Sequence, residues 1–370
     1  MVTRINYWFD TGNTRLKMRS EVPTNVDTVI VGGGVAGLNT LYYLLSRKVN
    51  AVLLDEADIG FYASGRSNGV FGLPPILGFE DNFQQVYDLV RLNNRLIRTT
   101  LIKENIPCSF NYTGEMQLSV NDAQFKHENV LSIKSGLTQL IPSKEFKRGF
   151  YIPVANTFNT YQFLYGLSAV CELTGPRCFG HTAVEGFEEH KDHMIVHIRD
   201  SRTIKCKNIV LCCDSHIAGD SNLVFRKSLL GSMCTKSIFS SKKESPFLYI
   251  PTYILDNNIR LSFYDGRIFV DFVGGLKRCN DVRDILGDYF DFFNVHDFEY
   301  EWAGAICSTD DGFPLIGQLS DRIYVNTAHG RHGLSYAALG GWIIADYIEK
   351  GQTQIINTEL FSPTRFGKEM

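Results

Sequence analysis

Several features that would reveal a role at a glance are missing from this chain. Nine cysteines lie among its 370 residues, and no two form a C-x-x-C pair. Neither a zinc site nor a disulfide framework is therefore expected. No run of about 18 apolar residues occurs, so no transmembrane helix is predicted. The opening MVTRINYWFD has no apolar core of a signal peptide. Unpaired thiols and no export signal point to a reducing, cytoplasmic setting. The formal net charge is only −3, which argues against a surface dedicated to nucleic acid but leaves room for a local basic patch. No internal repeat, low-complexity linker, metal cluster or nucleophile triad stands out, and no metal is expected. What remains is an ordinary globular composition, 44% hydrophobic and 21% charged. Its length suggests about two domains. The 26 Phe and 17 Tyr read first as core filling, although they also suit a flat ring-binding pocket.

The most informative stretch present is VIVGGGVAGLNTLYYLL, residues 29–45. A β-branched run, Val29 to Val31, turns through Gly32, Gly33 and Gly34 and continues via Val35, Ala36 and Gly37 into an apolar helical pattern. Gly32, Gly34 and Gly37 keep G-x-G-x-x-G spacing. A second apolar run, AVLLD, ends at Asp55, with Glu56 beside it. Strand, glycine turn, helix, strand and acid in that order are how a dinucleotide is held. Gly32 allows the sharp turn, Gly34 the approach of a pyrophosphate, and Gly37 close helix–strand packing. The helix start offers free N–H groups and a positive dipole end, and Asp55 stands where a ribose would be met.

Along the rest of the chain, residues 1–24 are polar without a strong period and are expected to form a short leader ending at Pro23. Helical spacing covers 82–105, then an alternating strand runs from Tyr112 to Val120 and a polar helix covers about 121–134. Residues 158–175 read as a helix closed by Gly175 and Pro176. From 178 the pattern becomes strand-rich, with Cys212 and Cys213 read as buried thiols in a strand. Alternation returns over 247–275, where Asp265-Gly266 centres a hairpin turn. A short helix is predicted for 281–294 and a final one up to Gly351. With no linker, the two domains must interleave. Residues 26–80, 150–225 and 300–355 are assigned to a Rossmann-like α/β cofactor domain. Residues 81–149 and 226–299 are assigned to a substrate domain built on an antiparallel sheet.

Two further stretches carry chemistry. The loop IGFYASGRSNG, residues 59–69, sets Ser64, Arg66, Ser67 and Asn68 among glycines that include Gly69, and such a loop can wrap phosphates or a ring edge. Near the C-terminus, EWAGAICSTDDGFPLIG precedes NTAHGRHGLSYAALGG. There a helix starting near Leu334 and Ser335 would aim its positive end at an electron-rich ring.

Taken together, GGGVAG, Asp55, the SGRSNG loop, W-x-G-x-x-x-x-T-x-DG-x-P-x-IG and the late H-G-x-HG turn resemble the D-amino-acid oxidase superfamily, which includes glycine oxidase and sarcosine oxidase. The resemblance spans roughly 26–350 with its blocks in family order. It implies FAD bound at the N-terminal βαβ unit and oxidation of a C–N bond by hydride transfer to flavin, giving an imine that water hydrolyses. It places Gly32, Gly34 and Gly37 at the pyrophosphate and Asp55 at the adenosine ribose, where the family more often has Glu. Ser64, Arg66, Ser67 and Asn68 fall at the diphosphate or flavin, Val184 at the adenine, and Gly330, Gly333, Leu334 and Ser335 at the flavin carbonyls.

The substrate side departs from the family. Ile306 stands where glycine oxidase has an arginine that clamps the substrate carboxylate, and such a bidentate bond is a strong determinant. Arg331, in HGRHG, is the candidate to take over, followed by Arg260 and Arg267. His332 matches a histidine beside the flavin, and Tyr264 either stands over the flavin or closes the hairpin. Cys307 is out of register with the cysteine that anchors flavin covalently in some relatives, so FAD is expected to be non-covalent. Asp214 replaces the family's usual glycine. The first reading is oxidation of a secondary amine or N-substituted glycine. The alternatives are the same chemistry on a glycyl- or carboxymethylaminomethyl-modified nucleobase, and a non-catalytic flavoprotein. The oligomeric state is not legible.

Overall fold

Thr28–Val31 (β1) is four β-branched residues in a row, and burial on both faces makes it the middle of a sheet. In this computed structural model β1 pairs in parallel with Ala51–Leu54 (β2) on one side and Asn208–Leu211 on the other. The structure describes residues 3–12, 21–75, 82–119, 137–140, 146–214, 233–242, 250–254, 258–274, 281–282, 284, 286 and 298–366. The six-stranded sheet runs in the order 315–318, 323–327, 208–211, β1, β2, 178–179. It is parallel except for the edge strand Leu315–Gln318.

Among the described residues the complete α-helices are Tyr7–Thr11 (α1), Val35–Ser46 (α2), Phe83–Lys103 (α3), Thr160–Cys171 (α4) and Gly333–Lys350 (α5). α5 ends at Gly351 in the left-handed conformation, φ 73°, as the sequence indicates. It lies so close to α2 that a Cβ on Gly341 would stand 2.7 Å from the backbone of Asn39 and Thr40.

The second sheet has eight strands in the order 298–307, 233–242, 267–273, 259–264, 252–254, 115–119, 148–152, 138–139. It is antiparallel apart from one parallel pair, 252–254 with 115–119, in keeping with the antiparallel sheet expected of the second domain. Asp265 and Gly266, both at positive φ, make the hairpin between 259–264 and 267–273. Strand Phe298–Cys307 belongs to this sheet, although residues 300–307 were assigned to the cofactor domain. The predicted strand from Tyr112 to Val120 is broken by Gly114 at φ 67°, and its two pieces join different sheets. A small sheet, 184–189, 194–198 and 203–206, flanks the parallel one.

The N-terminal segment also differs from expectation. Rather than a polar leader, it carries α1, whose Tyr7 and Trp8 are buried against Phe269 and Trp302 of the eight-stranded sheet. The amphipathic signal was invisible because α1 has five residues, too few for a period to show. The helix predicted at 121–134 and most of that at 281–294 lie outside the described residues. Among the described residues, no helix is long and apolar enough to cross a membrane.

Candidate active site

The parallel strands end on a common cavity. β1 runs into Gly32–Gly34, β2 into Asp55–Glu56, and the strand Asn208–Leu211 into Cys212–Asp214. All three endings line a space of about 600 Å³. An open parallel sheet binds ligands at this edge. The loop 60–64 and Ser67 close one side. Thr182, Val184 and Arg199 come from beside the small sheet, and Ala305, Ile306, Arg331, Gly333 and Leu334 from strand 298–307 and the start of α5.

The glycine turn is built for close approach. Gly32 sits at φ 109°, and a Cβ there would stand 2.6 Å from the Cys212 carbonyl oxygen. On Gly37 a Cβ would run into the Gly32 carbonyl, so this glycine packs the helix and does not line the cavity. The first bond of α2 is Leu38 N–H to the Gly34 carbonyl, which leaves the preceding amides without a helical acceptor. Ser64 Oγ accepts one of them, from Val35, at 2.9 Å. Asp55 is buried, and its carboxylate accepts Gly33 N–H at 2.6 Å and Ala57 N–H at 2.8 Å. It therefore splints the turn to the end of β2. Glu56, beside it, accepts from Tyr62 Oη.

Other loop residues turn away from the cavity. Arg66 donates to the Ala303 carbonyl at 2.7 Å and to the Phe61 carbonyl, and lies over the Phe61 ring. Asn68 is buried and accepts Val70 N–H. At Gly69, φ 76°, a Cβ would strike the Phe158 carbonyl. These three shape the loop without lining the cavity.

On the substrate side the arginines are paired. Arg331 donates through Nη2 to Asp271 at 3.0 Å and through Nη1 to Tyr253 Oη at 3.1 Å and the Asn258 carbonyl at 2.9 Å. Its side chain is 5% exposed and Asp271 is fully buried. Arg260 pairs with Glu115 at 3.0 Å, both sealed inside the sheet, and burial raises the pKa of Glu115 against the pull of Arg260. Arg267 is held by Glu299 and Asp265 at the hairpin. Tyr264 Oη accepts from Asn159, the N-cap of α4, and its ring abuts Trp8. His332 is the residue before α5, and Ser335 Oγ donates to the Gly72 carbonyl at 2.6 Å. Of the four candidates for chemistry (Arg331, His332, Tyr264 and Arg260), only Arg331 lines the cavity, and its charge is already balanced.

The cavity also holds residues that sequence reasoning passed over. His329 is buried, with its pKa pushed down to about 4 by desolvation. Its Nε2 lies 2.9 Å from Asn326 Oδ1. Cys212 and Cys213 stand just past the strand end, not within it, and burial holds the Cys212 thiol up at about 12. Asp214 takes φ 46°, so the position needs the left-handed backbone a glycine would give, which Asp tolerates. A usable signal existed for these three, since the end of a third parallel strand must open on the same edge. His329 opens the HGRHG turn already singled out, whereas Thr182 had no signal, because only the fold brings it there.

The start of α5 is spliced by α3. Asn93, fully buried, donates Nδ2–H to the Leu334 carbonyl at 2.9 Å, and its Oδ1 accepts both Ala338 and Leu339 N–H at 3.1 Å. This ties together the first two turns of α5, whose positive end reaches the cavity at Gly333 and Leu334. Among the described residues no group of three His, Cys, Asp or Glu could hold a metal.

A glycine turn that a Cβ would fill, an acid-braced strand end and a second helix start across one cavity fit a dinucleotide-binding protein. Residues 27–347 match the family model DAO, FAD dependent oxidoreductase, and the chain belongs to that family. It is 23% identical to the probable oxidoreductase OrdL of Haemophilus influenzae, covering 93% of this chain and 88% of that one. It is 20% identical to gamma-glutamylputrescine oxidoreductase of Escherichia coli, covering 87% and 83%. Its fold is similar to glycine oxidase from Geobacillus kaustophilus, with TM-score 0.76, 18% identity and 93% and 99% coverage. It is also similar to L-proline dehydrogenase from P. horikoshii, with TM-score 0.80, 17% identity and 93% and 98% coverage.

Proposed function

We propose that this oxidoreductase holds FAD non-covalently and oxidises the C–N bond of a small amine, with a secondary amine as the favoured substrate. When bound, the flavin supplies a two-electron acceptor for hydride from the carbon next to nitrogen. The amides at the start of α2 would receive the diphosphate, and the start of α5 would face the flavin ring. Support for non-covalent attachment comes from the thiols. Cys212 and Cys213 line the cavity as protonated, poorly nucleophilic groups, and buried Cys307 does not line it. Among the described residues no cysteine is disulfide-bonded, which suits a reducing cytoplasmic setting.

The observation that carries the substrate reading is the pairing of Arg331 with Asp271 beside apolar Ile306. A free amino acid needs an unspent cation for its carboxylate. Arg331 and Arg260 each face a buried carboxylate of their own. An amine whose far end is apolar or neutral therefore fits better than glycine, and an N-substituted glycine would have to compete with Asp271. The oxidation needs little acid–base machinery, because a neutral amine can lose hydride directly once oriented in a dry pocket. Anaerobic titration of the purified holoprotein, followed by flavin absorbance, tests this. Bleaching by a neutral-tailed secondary amine at lower concentration than by glycine supports it. Bleaching only by a modified nucleoside would move the substrate to a nucleobase. A flavin that no amine reduces would mean a non-catalytic flavoprotein.

A further inference from the structure

We infer that the segment before the dinucleotide motif is part of the cofactor site: Asn6 and Trp8, with Trp302, clamp three consecutive carbonyls of the loop that faces the cavity. Asn6 Nδ2 donates to the Gly65 carbonyl at 2.6 Å, Trp302 Nε1 to the Arg66 carbonyl at 3.1 Å, and Trp8 Nε1 to the Ser67 carbonyl at 2.6 Å. All three donors are at most 5% exposed. In a trans peptide the carbonyl and the N–H of one unit point in opposite directions. Drawing the carbonyls of 65, 66 and 67 to one side therefore turns the amides of 66, 67 and 68 to the other, where Arg66 and Ser67 N–H donate back to the Ala63 and Ser64 carbonyls at 3.3 Å and close the turn that carries Ser64. The same loop supplies Ser64 and Ser67 to the cavity, and Ser64 Oγ accepts the first amide of α2. The clamp thus acts through the loop on the N-terminus proposed to hold the diphosphate, and in that respect it rests on the FAD reading.

The clamp has a rigid base. Thr3 pairs with strand 298–307 through bonds to Glu299 and Glu301. Tyr7 Oη donates to Asp265 and Tyr300 Oη to Asp10, each at 2.7 Å. Trp8 stacks on Phe269 with an interplanar angle of 3°. Phe9 stacks on Phe61, itself a cavity residue. Buried carbonyls that lose a donor are costly, so the loop has strong reason to hold this geometry only while α1 is docked. Asn6, Trp8 and Trp302 are positioning residues, since none lines the cavity.

Three variants separate this from simple packing. W8F keeps a ring on Phe269 and removes the indole N–H. N6D keeps the Oδ1 that accepts Trp8 N–H at the helix cap but turns an oxygen toward the Gly65 carbonyl. Y7F, the control, loses only the bond to Asp265 in the same segment. FAD dissociation constants come from flavin fluorescence quenching, flavin orientation from visible circular dichroism of the bound cofactor, and loop order from hydrogen exchange of residues 63–69 in apoprotein. The clamp predicts about tenfold weaker FAD binding, a changed visible dichroism and faster loop exchange in W8F and N6D, with Y7F like the parent. Parent-like values in W8F and N6D overturn it. Equal losses in all three variants also overturn it, because they would mark general destabilisation of α1. If W8F does not fold, N6D against Y7F decides in the same way. If the parent binds no FAD, the cofactor reading fails by itself. The clamp then stands or falls on loop exchange in N6D and W8F against Y7F.

Discussion

Removing the Arg331 side chain would take a charged partner from the buried Asp271 carboxylate. Breaking a buried pair in this way costs about 3–5 kcal/mol. Arg331→Ala is therefore expected to lower the urea midpoint strongly, whatever substrate is present. A variant of parental stability with weakened binding only of carboxylate-bearing amines would restore Arg331 as a substrate clamp. His329 gives a pH-dependent prediction. Its folded pKa, about 4, lies below the ordinary 6.5, so the unfolded chain binds the proton more readily. Stability from keeping it neutral is full above pH 6.5 and falls as pH drops toward 4, by up to about 3 kcal/mol. Urea unfolding at pH 7.5 and 4.5 should show His329→Gln losing less stability on acidification than the parent. An equal loss in both proteins would show that other groups cause it.

α5 depends on a neighbour for its first two turns. Asn93 satisfies one carbonyl and two amides there. Asn93→Leu should cost about 2–3 kcal/mol, seen as a lowered melting temperature, and should weaken FAD binding because Leu334 lines the cavity. A destabilised variant with unchanged FAD affinity would mean that the splice supports the helix but not the site. Legibility from sequence also varied by element. The Asp265-Gly266 hairpin, β1, α2, β2 and the stop at Gly351 all carry local signals, since turn chemistry and period act within a few residues. The break at Gly114 and the docking of α1 carry none. A lone glycine in an alternating run is ambiguous until the partner strands are known, and Trp8 reads as a stray aromatic until Phe269 and Trp302 surround it.

At the scale of the whole molecule, the cavity joins loops from three sheets, so ligand binding is coupled to global stability. A ligand held only by the folded state at 100 times its dissociation constant adds about 2.7 kcal/mol. Saturating FAD should raise the melting temperature of apoprotein, and the rise should grow with FAD concentration. A melting temperature indifferent to FAD would count against the cavity as its seat.

The strand, glycine turn, helix and acid at the cavity edge could be read before any fold was known, because they lie within about 27 consecutive positions and obey local geometry. The family followed from such blocks taken in order. The fate of each charge could not be read in that way. Whether Arg331 meets a substrate or Asp271, and whether Asn6 and Trp8 form a leader or a clamp, depends on residues tens to hundreds of positions away. Long-range packing brings those partners together, and burial makes their bonds binding, since an interior charge or carbonyl must be answered by the protein itself.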